Sequence, residues 1–247
     1  MKLLTIKDVI LRIVAIIIMA EFLVMLVLRA VPHNASTFTE AVLDAAALAF
    51  LSTPAIYLWV IKPFVSARDD ALARIRHLAN VDPLTNLANR RLLISHLEKA
   101  LAGSIRHKDH GAVLLMDLDG FKAVNDRYGH PAGDALLVEV AQRLQGSVRT
   151  DDVVGRLGGD EFIVLLHRLG ASEDEAREKA LRVAEKLISI VALTVSFEGQ
   201  SLNVGVSVGI RIIGFEERDA EVVMADADTA MYSAKQRGGG CAAFFGS

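Results

Sequence analysis

The chain contains one short stretch that decides its fold, residues 153–166, with the sequence VVGRLGGDEFIVLL. Mostly apolar runs at 153–157 and 162–166 predict two short strands. Between them stands Gly158-Gly159-Asp160-Glu161, and adjacent glycines between two strands are typical of a hairpin turn. The stretch therefore predicts a β-hairpin that presents two carboxylates at its tip.

A second acidic segment, Asp117-Leu118-Asp119, follows an apolar strand predicted over residues 111–116. Carboxylates at strand ends and turns can converge on a hard cation such as Mg²⁺, which takes oxygen ligands and substrate phosphates. Glycines in the hairpin turn leave room for a nucleotide beside the backbone. The two segments point to a metal-dependent enzyme that acts on phosphates, although the same spacing also fits a tight turn with solvated acids.

The remaining patterns of the second two thirds alternate between helix and strand. Helices are predicted over 90–105, 132–148, 172–190 and 220–236, and strands over 202–212 and 241–245. This order is not a regular parallel alternation. It predicts an α+β fold, with an antiparallel-containing sheet and helices on one face.

Apolar residues concentrate in the first sixty-odd positions, in runs at 9–31 and 41–61. Each run is long enough to cross ~30 Å of hydrocarbon as a helix. A cleaved signal peptide is the alternative, but its apolar core of ~7–15 residues is shorter than the first run, and a second run follows here. Lysine and arginine residues flank the pair of runs and are absent from residues 32–40, which predicts that both termini face the cytoplasm.

Three domains are therefore expected: a membrane anchor at 1–62, a helical linker at 63–80 and a soluble domain at 81–247. The linker is either a short two-stranded stalk or a solvated connecting helix. Glu21, inside the first span, is either a sensing residue or a structural acid. Cys241 is the single cysteine and excludes an internal disulfide. The net charge of −3 gives no basic field for nucleic-acid binding.

Several residue strings of the soluble domain resemble the GGDEF family of diguanylate cyclases. They lie in the family's order from about residue 81 to the C-terminus, at 82–91, 117–122, 125–130, 133–134, 155–162, 207–210 and 227–235. The resemblance implies a cyclase/palm-type, ferredoxin-like domain with an antiparallel-centred sheet and flanking helices. It also implies a nucleotidyltransferase that condenses two GTP molecules into cyclic di-GMP and releases two pyrophosphates.

The same resemblance implies roles for individual residues. Asp117 and Asp160 would hold two Mg²⁺ ions, or Mn²⁺, with help from the Leu118 carbonyl. The general base would be either Asp160 or Glu161. Substrate contacts fall on five further residues, with Asn125 and Asp134 for guanine, Lys122 and Lys235 for phosphate, and His130. Helix capping is the structural alternative for the first two residues, and an ordinary surface position is the alternative for the lysines.

A second ligand site is implied by Arg149 and Asp152, which match the family's product-inhibition motif. Its alternative is a surface ion pair of little energetic consequence. Gly239 stands where the family usually has a phosphate-binding arginine, and Arg237 is a candidate substitute.

The resemblance further implies a homodimer, because each domain would hold one GTP and each attacking hydroxyl must reach the other's phosphate. The expected location is a bacterial inner membrane, crossed twice, with the catalytic domain in the cytoplasm. A catalytically silent receptor for GTP or cyclic di-GMP is the alternative function.

Overall fold

A computed structural model of the protein describes residues 6–30, 37–69, 80–216 and 219–246. The chain divides into two compact units, Met1–Arg76 and His77–Ser247. The division between them falls inside the predicted linker.

The first unit contains two long apolar helices. Helix α1 spans Ile6–Ala30, and α2 spans Thr37–Ile56 and continues through a π-helix, Tyr57–Ile61, into helical residues 62–69. Segments Lys7–Val27 and Ala41–Asp69 are long and apolar enough to cross a membrane. By length and composition they weakly suggest a membrane anchor, although signal sequences and core helices share these properties. Most of the predicted loop 32–40 lies outside the described residues, but its end, 37–40, is helical.

The π-helix has a local cause in Pro63. Proline has no N–H and its ring crowds the carbonyl four residues earlier, so Trp59 cannot make its α-helical bond. The Trp59 carbonyl instead accepts a hydrogen bond from Arg12 Nη1 of α1 at 3.2 Å. Buried residues of α1 recur every fourth position, at Ile16, Ala20 and Val24, and form the stripe expected of a packed helix. Glu21 is exposed.

The second unit is built on a mixed sheet. Its strands are β1 (Ala88–Asn89), β2 (His110–Asp119), β3 (Val153–Gly158), β4 (Glu161–Gly170), β7 (Gly205–Ile213) and β8 (Ala242–Phe244). Their order is β1-β3-β4-β2-β7-β8, with parallel pairs at the two edges and antiparallel pairs between them. A separate hairpin contains β5 (Val195–Phe197) and β6 (Gln200–Leu202). The predicted hairpin is thus confirmed, as β3 and β4.

Helices of this unit are α3 (Arg90–His107), α4 (Phe121–Tyr128), α5 (His130–Gln145), α6 (Glu173–Val191) and α7 (Ala220–Gln236). The bounds predicted for α7 are confirmed, and α3, α5 and α6 differ from prediction by one to three residues at an end. The strand predicted at 202–212 is confirmed as β7, although β7 begins at Gly205 and ends at Ile213, and Leu202 belongs to the short strand β6, which was not predicted. Helix α4 and strands β1 and β5 were not predicted.

Helices cover both faces of the sheet, so the prediction of one covered face is wrong. Leu114 and Met116 of β2 belong to the core under α5 and α6. Val113 and Leu115, on the opposite face, belong to the core under α3 and α7. A strand that is buried on both sides has no alternation of polar and apolar residues, which is why its sequence does not reveal the second layer.

Gly209 of β7 allows α7 to lie directly against the sheet. A Cβ at this position would clash with the backbone of Ala227 and Met231. This close approach fixes the course of α7, whose last turn carries Lys235 toward the end of β2.

Candidate active site

The two predicted acidic segments lie side by side in the structure. Asp117 of β2 is the register partner of Glu161 at the start of β4. The Leu118 N–H donates a hydrogen bond to the Asp160 carbonyl at 3.3 Å, which ties the hairpin turn to the end of β2. Asp117 was predicted to follow the strand, but it lies within β2. The strand is longer than predicted because β4 and β7 continue to pair with β2 at this position.

Asp117, Asp119 and Asp160 open onto one cavity of about 410 Å³. Its lining includes Asp117, Leu118, Asp119, Lys122, Asp160, Lys235, Gly238 and Gly239. Five of the residues predicted for the site from sequence therefore share a single concave surface. That surface combines carboxylates with two lysines, groups that can hold a metal-bound polyphosphate.

Asp117 forms an ion pair with Lys235, with the Nζ and Oδ1 atoms 2.7 Å apart. Burial, together with the charges of Asp160 and Asp119, raises the pKa of Asp117 above its ordinary value, although the Lys235 hydrogen bond acts in the opposite direction. Burial alone lowers the pKa of Lys235, but its bond to Asp117 and the charges of the other carboxylates outweigh burial and raise it. One ammonium thus faces several carboxylates, an electrostatic environment that favours an added cation.

The donor set fits a hard divalent ion that shares its ligands with a substrate. Among the described residues, no group of three or more His, Cys, Asp or Glu side chains forms a closed metal cage. Asp117, Leu118 and Asp160 all line the same cavity. Mg²⁺ is commonly held by one or two carboxylates plus substrate phosphates, which matches this open arrangement.

Glu161 faces a neighbouring cavity of about 470 Å³ that Arg90 and Asp228 also line. Burial raises its pKa above the ordinary value, and the charges of Asp117, Asp228 and Asp160 add to the effect. Asp160 and Glu161 therefore open onto different cavities, although they are consecutive in sequence.

Arg156 connects the hairpin turn to the beginning of the domain, a contact that the sequence did not reveal. Its Nη1 donates to both carboxylate oxygens of Asp82 at 2.9 and 3.1 Å. Its Nε and Nη2 donate to the Gly159 carbonyl at 3.1 and 2.7 Å. Burial raises the pKa of Asp82, but hydrogen bonds from Thr85 and Arg156 outweigh it, so the pKa is lowered. Arg156 thereby holds the turn that carries Asp160.

The residues implied for guanine lie on α4 and α5. Asn125 is partly buried, and its side-chain amide packs so closely on Gly133 that a Cβ there would clash with it. Asp134, the next residue, is exposed. Helix capping is excluded for both, because Gly120 and Gly129 are the N-cap residues of these helices. His130 is exposed at the first position of α5 and does not line the cavity of Asp117.

Arg149 and Asp152 form a turn and not a side-chain ion pair. The Asp152 carboxylate accepts hydrogen bonds from the backbone N–H of Arg149 and of His167, each at 3.1 Å. Both members of the pair line a cavity of about 580 Å³, whose wall also includes Lys179, Arg182 and Lys186 of α6. The alternative of a surface ion pair is therefore wrong, and the arginine stands in a basic cavity.

Gly239 cannot be replaced by a larger residue without a local change. Its φ is +74°, a conformation that residues with a side chain rarely adopt. A Cβ there would lie 2.9 Å from Asp119 Oδ2. The arginine implied by the resemblance is thus absent at a position where a side chain would strain the backbone and displace Asp119.

Residues 79–241 match the family described as the diguanylate cyclase, GGDEF domain. The chain belongs to the GGDEF family. Among curated relatives, the bifunctional diguanylate cyclase/cyclic di-GMP phosphodiesterase MucR of Pseudomonas aeruginosa is 44% identical over 172 residues, covering 69% of this chain and 24% of the relative. The diguanylate cyclase TpbB of the same species is 38% identical over 172 residues, covering 69% of this chain and 38% of the relative.

Solved structures agree with the GGDEF assignment. The isolated GGDEF domain of TpbB from Pseudomonas aeruginosa has a TM-score of 0.62 at 38% identity and covers 67% of this chain and 94% of that chain. The coiled coil and GGDEF domain of DgcB from Caulobacter crescentus, solved with c-di-GMP, has a TM-score of 0.68 at 25% identity and covers 76% and 96% of the two chains. The GGDEF fold predicted from sequence is confirmed. This chain spans about a quarter to two fifths of the length of the two curated relatives.

Proposed function

We propose that this protein is a diguanylate cyclase that converts two GTP molecules into cyclic di-GMP and two pyrophosphates. The observation that carries the proposal is the meeting of Asp117 and Asp160 at one open cavity, beside Lys235. Membership of the GGDEF family and relatives named as diguanylate cyclases support the same activity.

Divalent cations would be held by Asp117, Asp160 and the Leu118 carbonyl, with Mg²⁺ as the expected ion and Mn²⁺ as a substitute. Bound there, they would neutralise phosphate charge and lower the pKa of an attacking hydroxyl. Lys122 and Lys235 would contact the phosphates from the same cavity. Lys235 would then exchange part of its ion pair with Asp117 for the substrate.

In the proposed reaction, the 3′-oxygen of one GTP forms a bond to the α-phosphorus of the other, and the bond to pyrophosphate breaks. The hydroxyl proton goes to Asp160 or Glu161, or to water. Two such steps close the ring and release two pyrophosphates. Asn125 would donate and accept hydrogen bonds along the guanine edge and Asp134 would accept them, with His130 nearby at the start of α5.

The proposed active form is a homodimer, since one cavity accommodates one nucleotide and the attacking hydroxyl must come from a second copy. The apolar helices of the first unit would hold both copies in a bacterial inner membrane, with the GGDEF domains in the cytoplasm. Cyclic di-GMP would inhibit by binding Arg149 and Asp152, where basic residues of α6 complete a cavity suited to its phosphates.

The test is a turnover assay of the full chain in detergent or nanodiscs with GTP and Mg²⁺, followed by mass spectrometry of the products. We expect cyclic di-GMP with two pyrophosphates per product. Asp160→Ala should abolish turnover and leave the folded state intact. Asp126→Ala is a matched control, because Asp126 is an exposed aspartate of α4. Nucleotide binding without turnover in the wild-type protein would contradict the proposal and favour the receptor.

A further inference from the structure

Asp119 is the last residue of β2, two positions after Asp117. Its carboxylate already accepts hydrogen bonds from other groups of the protein. Ser207 Oγ of β7 donates to its two oxygens at 2.8 and 3.0 Å. The backbone N–H of Gly240 donates to Oδ2 at 2.9 Å. Asp119 thereby joins β2 and β7 to the loop that follows α7.

That loop consists of three glycines, Gly238, Gly239 and Gly240, with φ values of +107°, +74° and +64°. A Cβ on Gly239 would lie 2.9 Å from Asp119 Oδ2, whereas one on Gly238 or Gly240 would meet nothing within 4 Å. The middle glycine is therefore packed on the carboxylate, and its neighbours are not. The loop is shaped around Asp119.

The loop borders the proposed phosphate side of the cavity. Gly238 and Gly239 line it together with Asp117 and Lys235. Helix α7 ends at Gln236, immediately after Lys235, so the loop is the C-terminal anchor of the turn that carries this lysine. A change in the loop would shift the ammonium relative to Asp117.

We propose that Asp119 is a positioning residue, which holds the glycine loop and Lys235 in place for the triphosphate, and that it is not a metal ligand. The inference rests on the proposed function of the cavity. It follows from the donors that Asp119 already has, because a carboxylate bonded by a hydroxyl and a backbone N–H is oriented toward the loop. Asp117 is instead paired through Oδ1 with Lys235, a cation that substrate phosphates would draw away from it under the proposed function.

Asparagine and alanine at position 119 separate the two roles. The amide oxygen of Asp119→Asn can accept the Gly240 N–H and its amino group can donate to Ser207, so the loop should be retained. We expect turnover of the full chain within roughly 3-fold of wild type, and no change in the Mg²⁺ concentration for half-maximal rate. Asp119→Ala should raise KM for GTP and lower kcat/KM by roughly 30-fold or more.

Ser207→Ala removes one donor to Asp119 and keeps the Gly240 hydrogen bond, so its kcat/KM should lie between those of Asp119→Asn and Asp119→Ala. It replaces Asp119→Ala as the test if that variant folds poorly. A matched glycine pair tests the packing. Gly239→Ala and Gly240→Ala carry similar backbone strain, but only the alanine at 239 would contact Asp119. The turnover rate of Gly239→Ala should therefore be roughly 10-fold lower than that of Gly240→Ala.

Hydrogen exchange without nucleotide distinguishes this inference from the proposed function. The Gly240 amide should exchange at least ~10-fold faster in Asp119→Ala than in wild type, and the centre of β2 should be unchanged. A wild-type protein without turnover would contradict the proposed function, but hydrogen exchange at the Gly240 amide would still test the role of Asp119. The inference is overturned if Asp119→Asn loses as much turnover as Asp117→Asn, or if exchange at Gly240 is the same in Asp119→Ala.

Discussion

Replacement of Arg156 by alanine removes the clamp between the start of the GGDEF domain and its hairpin turn. The guanidinium donates two hydrogen bonds to Asp82, at 2.9 and 3.1 Å, and two to the Gly159 carbonyl, at 3.1 and 2.7 Å. The side chains of Arg156 and Asp82 are only 11% and 16% exposed. The substitution therefore leaves a largely buried carboxylate without its cation, and a turn without its anchor.

The expected cost follows from this burial. Removing one partner of a fully buried ion pair costs ~3–5 kcal/mol, and the remaining exposure and the Thr85 bonds to Asp82 reduce this to ~2–3 kcal/mol. For a domain of this size the loss corresponds to a fall in Tm of roughly 5–10 °C. Because the turn carries Asp160, kcat should also fall roughly 10–100-fold.

The assay is thermal unfolding and GTP turnover of the full chain, with Arg156→Ala, Asp82→Asn and the double variant. The cycle should give a coupling free energy of ~1–3 kcal/mol between the two side chains. Arg156→Lys should be intermediate, since one ammonium cannot serve both the carboxylate and the carbonyl. An Arg156→Ala protein with unchanged Tm and turnover would refute the reasoning.

Three further outcomes are expected. Arg149→Ala should raise the cyclic di-GMP concentration for half-inhibition at least ~10-fold, and unchanged inhibition would remove it from the product site. Burial lowers the pKa of His167, so the folded state binds the proton more weakly than the unfolded state. Stability should fall as pH decreases below about 6.5, and His167→Gln should flatten that dependence in thermal unfolding. Gly209→Ala should unfold the domain or lower its free energy of unfolding by ~3 kcal/mol or more. Gly103→Ala, in open space on α3, should raise that free energy by ~0.5–1 kcal/mol. Equal effects of the two variants in chemical denaturation would exclude direct packing of α7 on β7.

The hairpin and α7 could be predicted from the sequence because the patterns that specify them are local. Paired glycines between two apolar runs specify the turn, and the last helix has a clear apolar stripe with Asp219 as its N-cap. The convergence of Asp117 and Asp160 was also predictable, since each acid lies beside a strand end and antiparallel neighbours bring such ends together.

Other features depend on information that the local sequence lacks. Strand β2 is buried along nearly its whole length, so its apolar run gives neither its end nor the helices on its second face. Helix α4 has only eight residues, and its N-cap residue, Gly120, has no side chain to cap it. Arg156 and Asp119 contact partners 74 and 121 positions away, at Asp82 and Gly240. Such contacts follow from the fold and not from the spacing of residues.

The central claim is that Asp117 and Asp160 share divalent ions with a nucleoside triphosphate, and calorimetric titration of a non-reactive GTP analogue tests it most directly. In the wild-type chain, Mg²⁺ should tighten binding of the analogue at least ~10-fold. Asp117→Asn and Asp160→Asn should each remove this enhancement, and the surface variant Asp126→Asn should keep it. An enhancement of the same size in all four proteins would contradict the account.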